Sequence, residues 1–359
     1  MPPTTTTTTS PTASPSCLHV SPAKNGYLPP ESCDAILYYV PSFGAAILFC
    51  VLYGITAVLH LAQAIVYKKA YAWVIIMGAA WELLAFIFRT LQTRHQNSDT
   101  WDTLYMIFFL LAPIWINAFI YMTLGRMIYF FLPQKGLAGI SAPRYGIFFV
   151  TLDIVAFLVQ CAGAFLMSNK DIGHSLMMTG LHVYMGGIGL QEFFLLCFWG
   201  LAIKLHVDMI GIEKSQEVDP AKFYRGAYPW RWLFYSTYFA LTMISIRIFF
   251  RLGQYSQGFN ASNPVLSHEA YEYVLDATPM FLTLAILNVF HPGRILQGPD
   301  SAFPKLSRKE KKFQKEQKKQ QKKEEKAQKK ALAWSSDKDG SDSEGLDLED
   351  GNMPRLQSV

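Results

Sequence analysis

The sequence predicts an all-α polytopic membrane protein with seven transmembrane helices, its N-terminus outside and its C-terminus in the cytosol. Three observations support this prediction. Of the 359 residues 51% are apolar, and they concentrate between residues 36 and 298. Seven segments in that range each supply the roughly 20 apolar residues that a bilayer core requires. The connections between them alternate between many and few basic residues, which sets the orientation.

The predicted spans contain few polar residues, and the connections between them are short. The helices of most soluble proteins are shorter and less uniformly apolar. We number them spans 1–7. They lie near residues 38–66, 71–92, 103–131, 145–168, 174–203, 231–254 and 272–296. We expect residues 36–298 to form a single transmembrane domain.

Both ends of the chain are polar. Residues 1–35 begin with MPPTTTTTTSPTASPS, a composition that cannot bury a core and is typical of an O-glycosylated stalk. We expect a disordered extracellular tail there, and a cytosolic tail at residues 299–359. Residues 305–330 carry thirteen Lys or Arg against four Glu, whereas residues 337–350 carry seven acids and one lysine. The basic segment either binds anionic cytoplasmic lipid or is a solvated segment that maintains solubility and orientation; we do not expect nucleic-acid binding.

Loop charge predicts which connections face the cytosol. Lys68 and Lys69 lie between spans 1 and 2, Lys135 and Arg144 between spans 3 and 4, and five basic residues between spans 5 and 6. The other connections hold at most one basic residue each, so we expect them outside. The predicted outer loop between spans 6 and 7 contains Asn260 in an Asn-Ala-Ser glycosylation sequence. These features favour a multi-pass protein of the plasma membrane.

Modification and metal signals are few. Ser336 and Ser341 precede acidic residues and are candidates for phosphorylation. Cys17 and Cys33 lie in the N-terminal tail, and the sequence does not decide whether they form a disulfide. The other three cysteines lie in apolar segments and are expected to pack there. No metal-ligand spacing is present, so we expect no metal and no cofactor.

Ionisable and amide side chains recur inside the predicted spans. They are Glu82, Arg89, Asp153, Gln160, Gln191, Arg247, Arg251 and Asp276. Such residues usually face the interior of a helix bundle and pair with one another. Arg247 and Arg251 are four residues apart and share a helix face, and we expect Asp276 and Glu82 as their partners. The group forms either a structural ion-pair network or a polar cavity for a charged headgroup, whose sign the residues leave open.

Prolines and glycines add packing features. Pro41, Pro113 and Pro279 fall inside predicted spans, where a proline kinks a helix or frees a backbone carbonyl. Four glycines of span 5 favour close helix packing: Gly180, Gly186, Gly187 and Gly189.

Several motifs in order between residues 73 and 296 are similar to the fungal lipid-translocating exporter family. They include WELLAFIFR, LLAPIWINAFIYMTLGRMI, TLDIVAFLVQCAGA, ISIRIFFRLGQYSQG and HEAYEYVLDATPM. The resemblance implies a seven-span protein of aminocholesterol resistance and sphingoid-base export. Beyond the eight residues above, the family pattern falls on Pro113, Tyr121, Arg126, Glu269, His291 and Pro292. One departure is Gln254, where the family usually has an acid three residues after the second arginine of span 6.

Two functional hypotheses follow. In the first, the protein exports or translocates amphipathic lipids, such as sphingoid bases or sterol-like amphiphiles, or confers resistance to toxic lipid-like compounds. A polar groove lined by spans 2, 4, 6 and 7 would carry the headgroup. In the second, it is a seven-span receptor or sensor of lipophilic ligands that signals through its cytosolic loop and tail. An intramembrane hydrolase is disfavoured because His60, His182 and His291 have no histidine four residues on, so we expect no enzyme.

Overall fold

The computed structural model describes residues 18–168, 173–215, 221–224, 226–256 and 263–298, together with residues 301 and 303 and seven residues between 316 and 328. The chain divides into two compact units, Met1–Phe303 and Pro304–Val359. In the second unit the described residues are all helical. The first unit contains the membrane-spanning helices.

In the described part of the first unit, seven helices are long and apolar enough to cross a membrane, which confirms the predicted all-α architecture of seven spans. Span 1 is Phe43–Tyr67, span 2 Trp73–Arg94, span 3 Asp99–Phe131, span 4 Ala142–Ser168, span 5 His174–Ser215 and span 6 Arg231–Ser256. Span 7 covers Glu269–Ile295 in four pieces: α-helix Glu269–Glu272, π-helix Tyr273–Ala277, α-helix Thr278–Val289 and a final turn Pro292–Ile295.

Short elements fill the connections. A 3-10 turn, Lys24–Gly26, precedes span 1, and another, Ala70–Ala72, precedes span 2. Strands β1, Gly136–Leu137, and β2, Ile140–Ser141, form an antiparallel hairpin between spans 3 and 4. Helical turns Ala221–Tyr224 and Pro264–Ser267 precede spans 6 and 7.

The seven spans are packed in chain order, because each contacts the next and span 7 also contacts span 1. Burial differs among them. In the most apolar stretch of each helix, half or more of the residues are buried in spans 2, 3, 6 and 7, but only 28% in spans 1, 4 and 5. Most of the ionisable side chains named above lie on the more buried spans, as the cost of exposing charge to hydrocarbon requires.

Two span boundaries differ most from the sequence-based prediction. Span 1 begins at Phe43, not at residue 38, because the side chain of Ser42 caps the helix by accepting a hydrogen bond from the backbone N–H of Ala45. Pro41 therefore lies before the helix and does not kink it. Span 5 continues to Ser215, twelve residues past its predicted end at 203, and its 42 residues correspond to roughly 63 Å of helix.

Spans 4 and 5 pack closely through glycines. A Cβ on Gly163 of span 4 would lie 2.4 Å from the backbone nitrogen of Tyr184, and one on Gly187 would lie 2.9 Å from the backbone nitrogen of Gln160. Gly180 also packs against span 4, as predicted. By contrast, Gly186 and Gly189 have no neighbour within 4 Å of such a Cβ, because they lie on other faces of the same helix.

Residues 18–42 fold against the ends of spans 2 and 7. Gly26 has φ +76°, and a Cβ there would lie 1.8 Å from the carbonyl oxygen of Arg94, so glycine is required. The backbone N–H of Leu28 donates to Gln96 Oε1 (3.0 Å), and Leu28 is buried. We expected disorder through residue 35, but these backbone contacts hold the described residues 18–35 in place.

Cys33 is disulfide-bonded, whereas Cys50, Cys161 and Cys197 are free. Cys17 lies outside the described residues. We call the end of the bundle that holds residues 18–42 the Arg89 end. The opposite end, which holds the β-hairpin and the connection between spans 1 and 2, is called the Arg126 end.

Candidate functional site

Arg247 and Arg251 of span 6 both form ion pairs with Asp276 of span 7. Arg247 Nε lies 2.5 Å from Asp276 Oδ1, and Arg251 Nε contacts Oδ2 of the same carboxylate. The side chain of Asp276 is fully buried, and those of the two arginines are 6% and 7% exposed. The spacing of the arginines therefore directs both to one acid, as the sequence led us to expect.

A proline supplies Arg247 with a further partner. Pro113 lies inside span 3 and has no N–H, so the carbonyl of Phe109, four residues earlier, lacks its helical donor. Arg247 Nη2 donates to this carbonyl oxygen (3.3 Å). The guanidinium groups of Arg247 and Arg251 also lie over the Phe109 ring, 5.4 and 5.1 Å from its centroid. The two arginines are thus held by spans 3 and 7 together.

Asp276 lies within the π-helical turn of span 7. Pro279 follows three residues later, and its ring would clash with the carbonyl of Leu275 in a regular α-helix. The wider turn at Tyr273–Ala277 relieves that clash. The Tyr53 hydroxyl of span 1 donates to the carbonyl oxygen of Ala277 (2.7 Å), which ties the turn to the neighbouring span. Single π turns within helices frequently mark functional sites.

Glu82, the second predicted partner, is fully buried near this pair. It is close enough to Arg247 and Asp276 to interact electrostatically with both side chains. Within the described part of the chain, neither oxygen of its carboxyl group accepts or donates a hydrogen bond. A buried carboxyl group in this condition is costly for stability.

Arg89 belongs to a separate network at the Arg89 end. Its Nη2 contacts Glu269 Oε1 (3.1 Å), Glu272 Oε2 (3.5 Å) and the Tyr39 hydroxyl (2.5 Å), while Nη1 donates to Gln92 Oε1 (2.6 Å). The Tyr39 hydroxyl donates in turn to Glu272 (2.9 Å). Burial and the Glu272 carboxylate raise the pKa of Tyr39 well above its ordinary value of 10.0. Tyr39 thereby attaches the N-terminal segment to spans 2 and 7.

A cavity of about 260 Å³ lies beside this network. Its polar lining includes Arg89 and Arg251, Glu272, and Asp102 of span 3. The Tyr105 hydroxyl, also in the lining, donates to Glu272 Oε1 (2.6 Å). The rest combines the apolar side chains of Ile36, Leu37, Met106, Val265 and Leu266 with Gln254, His268 and further tyrosines. The cavity therefore combines acidic and basic groups with a lining that is only partly apolar.

The polar residues of spans 4 and 5 form two smaller contacts. Asp153 Oδ2 accepts hydrogen bonds from Asn117 Nδ2 (3.1 Å) and from the Tyr121 hydroxyl (3.0 Å), both on span 3. Gln160 Nε2 donates to Gln191 Oε1 (3.0 Å).

A cavity of only about 20 Å³ brings Gln160 and Gln191 together with Arg247 and Arg251. Arg251 lines this small cavity and also the 260 Å³ cavity. The structure therefore places both glutamines next to the arginine pair and connects them, through Arg251, to the larger cavity. It does not do so for Asp153, which is absent from the lining of either cavity.

The remaining family positions lie elsewhere. His291 and Pro292 are buried at the Arg126 end, where His291 Nδ1 accepts a hydrogen bond from the backbone N–H of Gly293 (3.0 Å). Arg126 lines another cavity at that end. Asn260, Ser336 and Ser341 lie outside the described residues. In the described ranges, no group of three His, Cys, Asp or Glu side chains is arranged to hold a metal ion.

Sequence reasoning missed five residues of the site: Tyr39, Gln92, Asp102, Tyr105 and Glu272. A signal for Glu272 was available, because Glu269, Glu272 and Asp276 follow one another at spacings of three and four and so share a helix face. The predicted start of span 7 at residue 272 concealed it. No periodic signal marks Tyr39, which precedes span 1.

Comparison with known proteins identifies the family. A family model described as "RTA1 like protein" matches residues 75–299. The chain belongs to the RTA1-like family. This confirms the resemblance that the sequence motifs indicate. No solved structure matches this RTA1-like chain with statistical significance.

Three relatives of this RTA1-like chain illustrate the range of similarity. The chain is 54% identical to "Probable lipid transporter atnI" of Emericella nidulans over 307 residues, which is 86% of this chain and 80% of the relative. It is 25% identical to "Sphingoid long-chain base transporter RSB1" of Saccharomyces cerevisiae over 292 residues, 74% of this chain and 75% of the relative. It is 29% identical to "Protoporphyrin uptake protein 1" of S. cerevisiae over 218 residues, 59% and 65% of the two chains.

Proposed function

We propose that this RTA1-like protein exports or translocates amphipathic lipids that carry an amine headgroup, of the sphingoid-base class. The names of the atnI and RSB1 relatives support lipid transport. The composition of the 260 Å³ cavity at the Arg89 end supports the amine, and this is the observation that carries the proposal. The relatives are transporters by name, so we propose no enzymatic activity.

The charge balance near the cavity favours a cationic headgroup. The three arginines Arg89, Arg247 and Arg251 are accompanied by four carboxyl groups, on Asp102, Glu269, Glu272 and Asp276. The arginines are already paired with acids and so have little charge left for an anionic headgroup. A cationic amine would instead enter a region that has more acidic than basic side chains. Carboxylates and tyrosine hydroxyls are suitable partners for the amine and hydroxyl groups of a sphingoid base.

We place the Arg89 end outside the cell. Loop charge supports this orientation, as does the glycosylation sequence at Asn260, and passage through the secretory pathway favours the plasma membrane. The headgroup would move from Gln160 and Gln191 past Arg251 to the Arg89-end cavity, while the chain remains in hydrocarbon. Protonation of Glu82 or Asp153 would then couple movement to protons.

The cytosolic tail has proposed roles of its own. The basic residues 305–330 would bind the anionic inner leaflet. Phosphorylation of Ser336 and Ser341 would add negative charge close to that segment and weaken the attraction.

Efflux of a fluorescent sphingoid base from cells that overexpress the protein tests the proposal. At matched surface expression, Glu272→Gln should lower the added efflux about tenfold, because a charge-assisted hydrogen bond of about 1.4 kcal/mol or more to the amine is lost. Glu213→Gln is the matched control, because Glu213 lies on span 5 at the Arg126 end and bonds to Arg231 (2.7 Å). Its efflux should equal that of wild type.

Arg247→Ala and Asp276→Ala remove the ion pair between spans 6 and 7. Each should abolish the efflux that the wild-type protein adds. Wild-type protein that leaves efflux unchanged, yet recruits a cytosolic partner when the lipid is added, would overturn the proposal in favour of a receptor.

A further inference from the structure

A second cavity, of about 480 Å³, lies between spans 2, 3 and 4 towards the Arg126 end. Its volume is within the range of about 300–1,000 Å³ that is typical of small-molecule sites. Its walls are almost entirely apolar and include Trp73, Trp115 and Met122, with Val150 and Ile154 of span 4. Such walls suit a hydrocarbon chain.

Among the residues that the structure describes, Arg126 is the one charged side chain in the lining of this cavity. Its guanidinium group lies 3.6 Å from the centroid of the Tyr71 ring and 5.1 Å from that of the Phe303 ring. Nη1 donates to the carbonyl oxygen of Met122 (2.9 Å), but Nε has no hydrogen-bond acceptor among the described residues. The aromatic rings thus fix the planar group, and part of its donor capacity is unused.

A second cation, Lys69, lies near Arg126 but does not line the cavity. It is two residues from Tyr71 and bonds to Ser301, which is two residues from Phe303. Arg126 contacts the rings of both Tyr71 and Phe303. Burial and the charge of Arg126 both lower the pKa of Lys69, which precedes span 2. Its Nζ donates to the Ser301 hydroxyl (2.6 Å). In the part of the chain that the structure describes, no carboxylate lies within 4.0 Å of Lys69 or Arg126. Two neighbouring cations without an acid between them repel each other, and an anion bound by both would relieve that repulsion.

We propose that this cavity binds an anionic phospholipid, with an acyl chain along the apolar walls and the phosphate held by Arg126 and Lys69. A planar guanidinium group binds phosphate through two parallel hydrogen bonds, and lysine adds a point charge. The site is distinct from the one proposed for transport, because two cations reject the amine of a sphingoid base. It therefore does not depend on the proposed function.

Lipid retention by the purified full-length protein tests this inference. The protein is mixed in neutral detergent with phosphatidic acid and phosphatidylcholine of identical chains, and bound lipid is measured by native mass spectrometry. Wild type should retain phosphatidic acid about tenfold more than phosphatidylcholine, and Arg126→Gln should lose that preference. Arg144→Gln should keep it, because Arg144 is an exposed residue of span 4 that does not line the cavity.

A pair of tryptophan variants distinguishes lipid binding in this cavity from lipid binding by the basic segment at 305–330. Val150→Trp fills the cavity without changing any charge and should abolish the preference. Leu158→Trp, on the exposed face of the same helix (Leu158 is 60% exposed), should not.

Retention of phosphatidic acid by both Arg126→Gln and Val150→Trp at the wild-type level would overturn the proposal and locate the lipid elsewhere. Displacement of phosphatidic acid by an equal concentration of inorganic phosphate would also overturn it, because the acyl chain would then contribute nothing. Sphingoid-base efflux by Arg126→Gln, measured in parallel, reports separately on the transport proposal.

Discussion

Arg247 and Asp276 form a buried ion pair between spans 6 and 7, with 2.5 Å between Nε and Oδ1. One carboxylate serves two arginines, since Arg251 contacts its other oxygen. Pro113 contributes from span 3 by freeing the carbonyl of Phe109 for Arg247. The stability of this group and its use in transport can be tested separately.

Asp276→Asn should destabilise the protein by about 3–5 kcal/mol, because two buried guanidinium groups lose their only ion-pair partner within the described residues. Thermal unfolding in detergent, followed by size-exclusion chromatography, measures the effect. Asp208→Asn is the control, since Asp208 pairs with Lys204 on the surface at 3.6 Å and should contribute less than about 1 kcal/mol. Equal unfolding temperatures for the two variants would contradict this prediction.

Glu82→Met should raise stability, because it replaces a buried carboxyl group that lacks hydrogen-bond partners in the described structure with an apolar group of similar size. The expected gain is about 1–3 kcal/mol. Lipid efflux should fall in the same variant if the carboxyl group serves transport. Glu213→Met should instead lower stability, since Glu213 accepts hydrogen bonds from Tyr224, Trp230 and Arg231. A less stable Glu82→Met protein would show that the carboxyl group has a favourable partner.

Gly163→Ala should destabilise the contact between spans 4 and 5, because its Cβ would lie 2.4 Å from the Tyr184 backbone nitrogen and backbone cannot move aside cheaply. We expect a loss of about 1–3 kcal/mol. Gly186→Ala introduces a Cβ into open space on span 5 and should gain about 0.5–1 kcal/mol from helix propensity. Unfolding temperatures of the two alanine variants check the prediction, which fails if both shift in the same direction.

Tyr39→Phe should remove an alkaline loss of stability. The folded pKa of Tyr39 is raised above its ordinary value of 10.0, so the folded state holds this proton more tightly than the unfolded state does. Its contribution is therefore complete below pH 10 and is lost as pH rises from there towards the folded pKa. Unfolding temperatures measured between about pH 8 and pH 11 should decline more for wild type than for Tyr39→Phe. Wild-type and variant unfolding temperatures that fall in parallel with pH would rule out a raised pKa for Tyr39, because all other titrating groups are common to both proteins.

The sequence alone determined the number and type of the spans. Hydrocarbon requires long apolar helices with internally satisfied backbones, and this requirement acts on each segment separately. Local spacing was equally informative at Arg247 and Arg251, whose shared face follows from helix geometry. Pro113 also predicted a backbone carbonyl without a helical donor, although the sequence did not indicate that Arg247 donates to it.

Only the tertiary structure decided which side chains meet across spans. It assigned Arg89 to Glu269 and Glu272, joined Asp153 to Asn117 and Tyr121, and left Glu82 without a hydrogen bond in the described chain. It also separated Gly187, which packs against span 4, from Gly186, which faces open space. The physical reason is that a membrane helix is apolar on nearly every side, so periodicity does not mark its buried face. Rotation of each helix is fixed by packing against its neighbours, and those contacts join residues far apart in the chain.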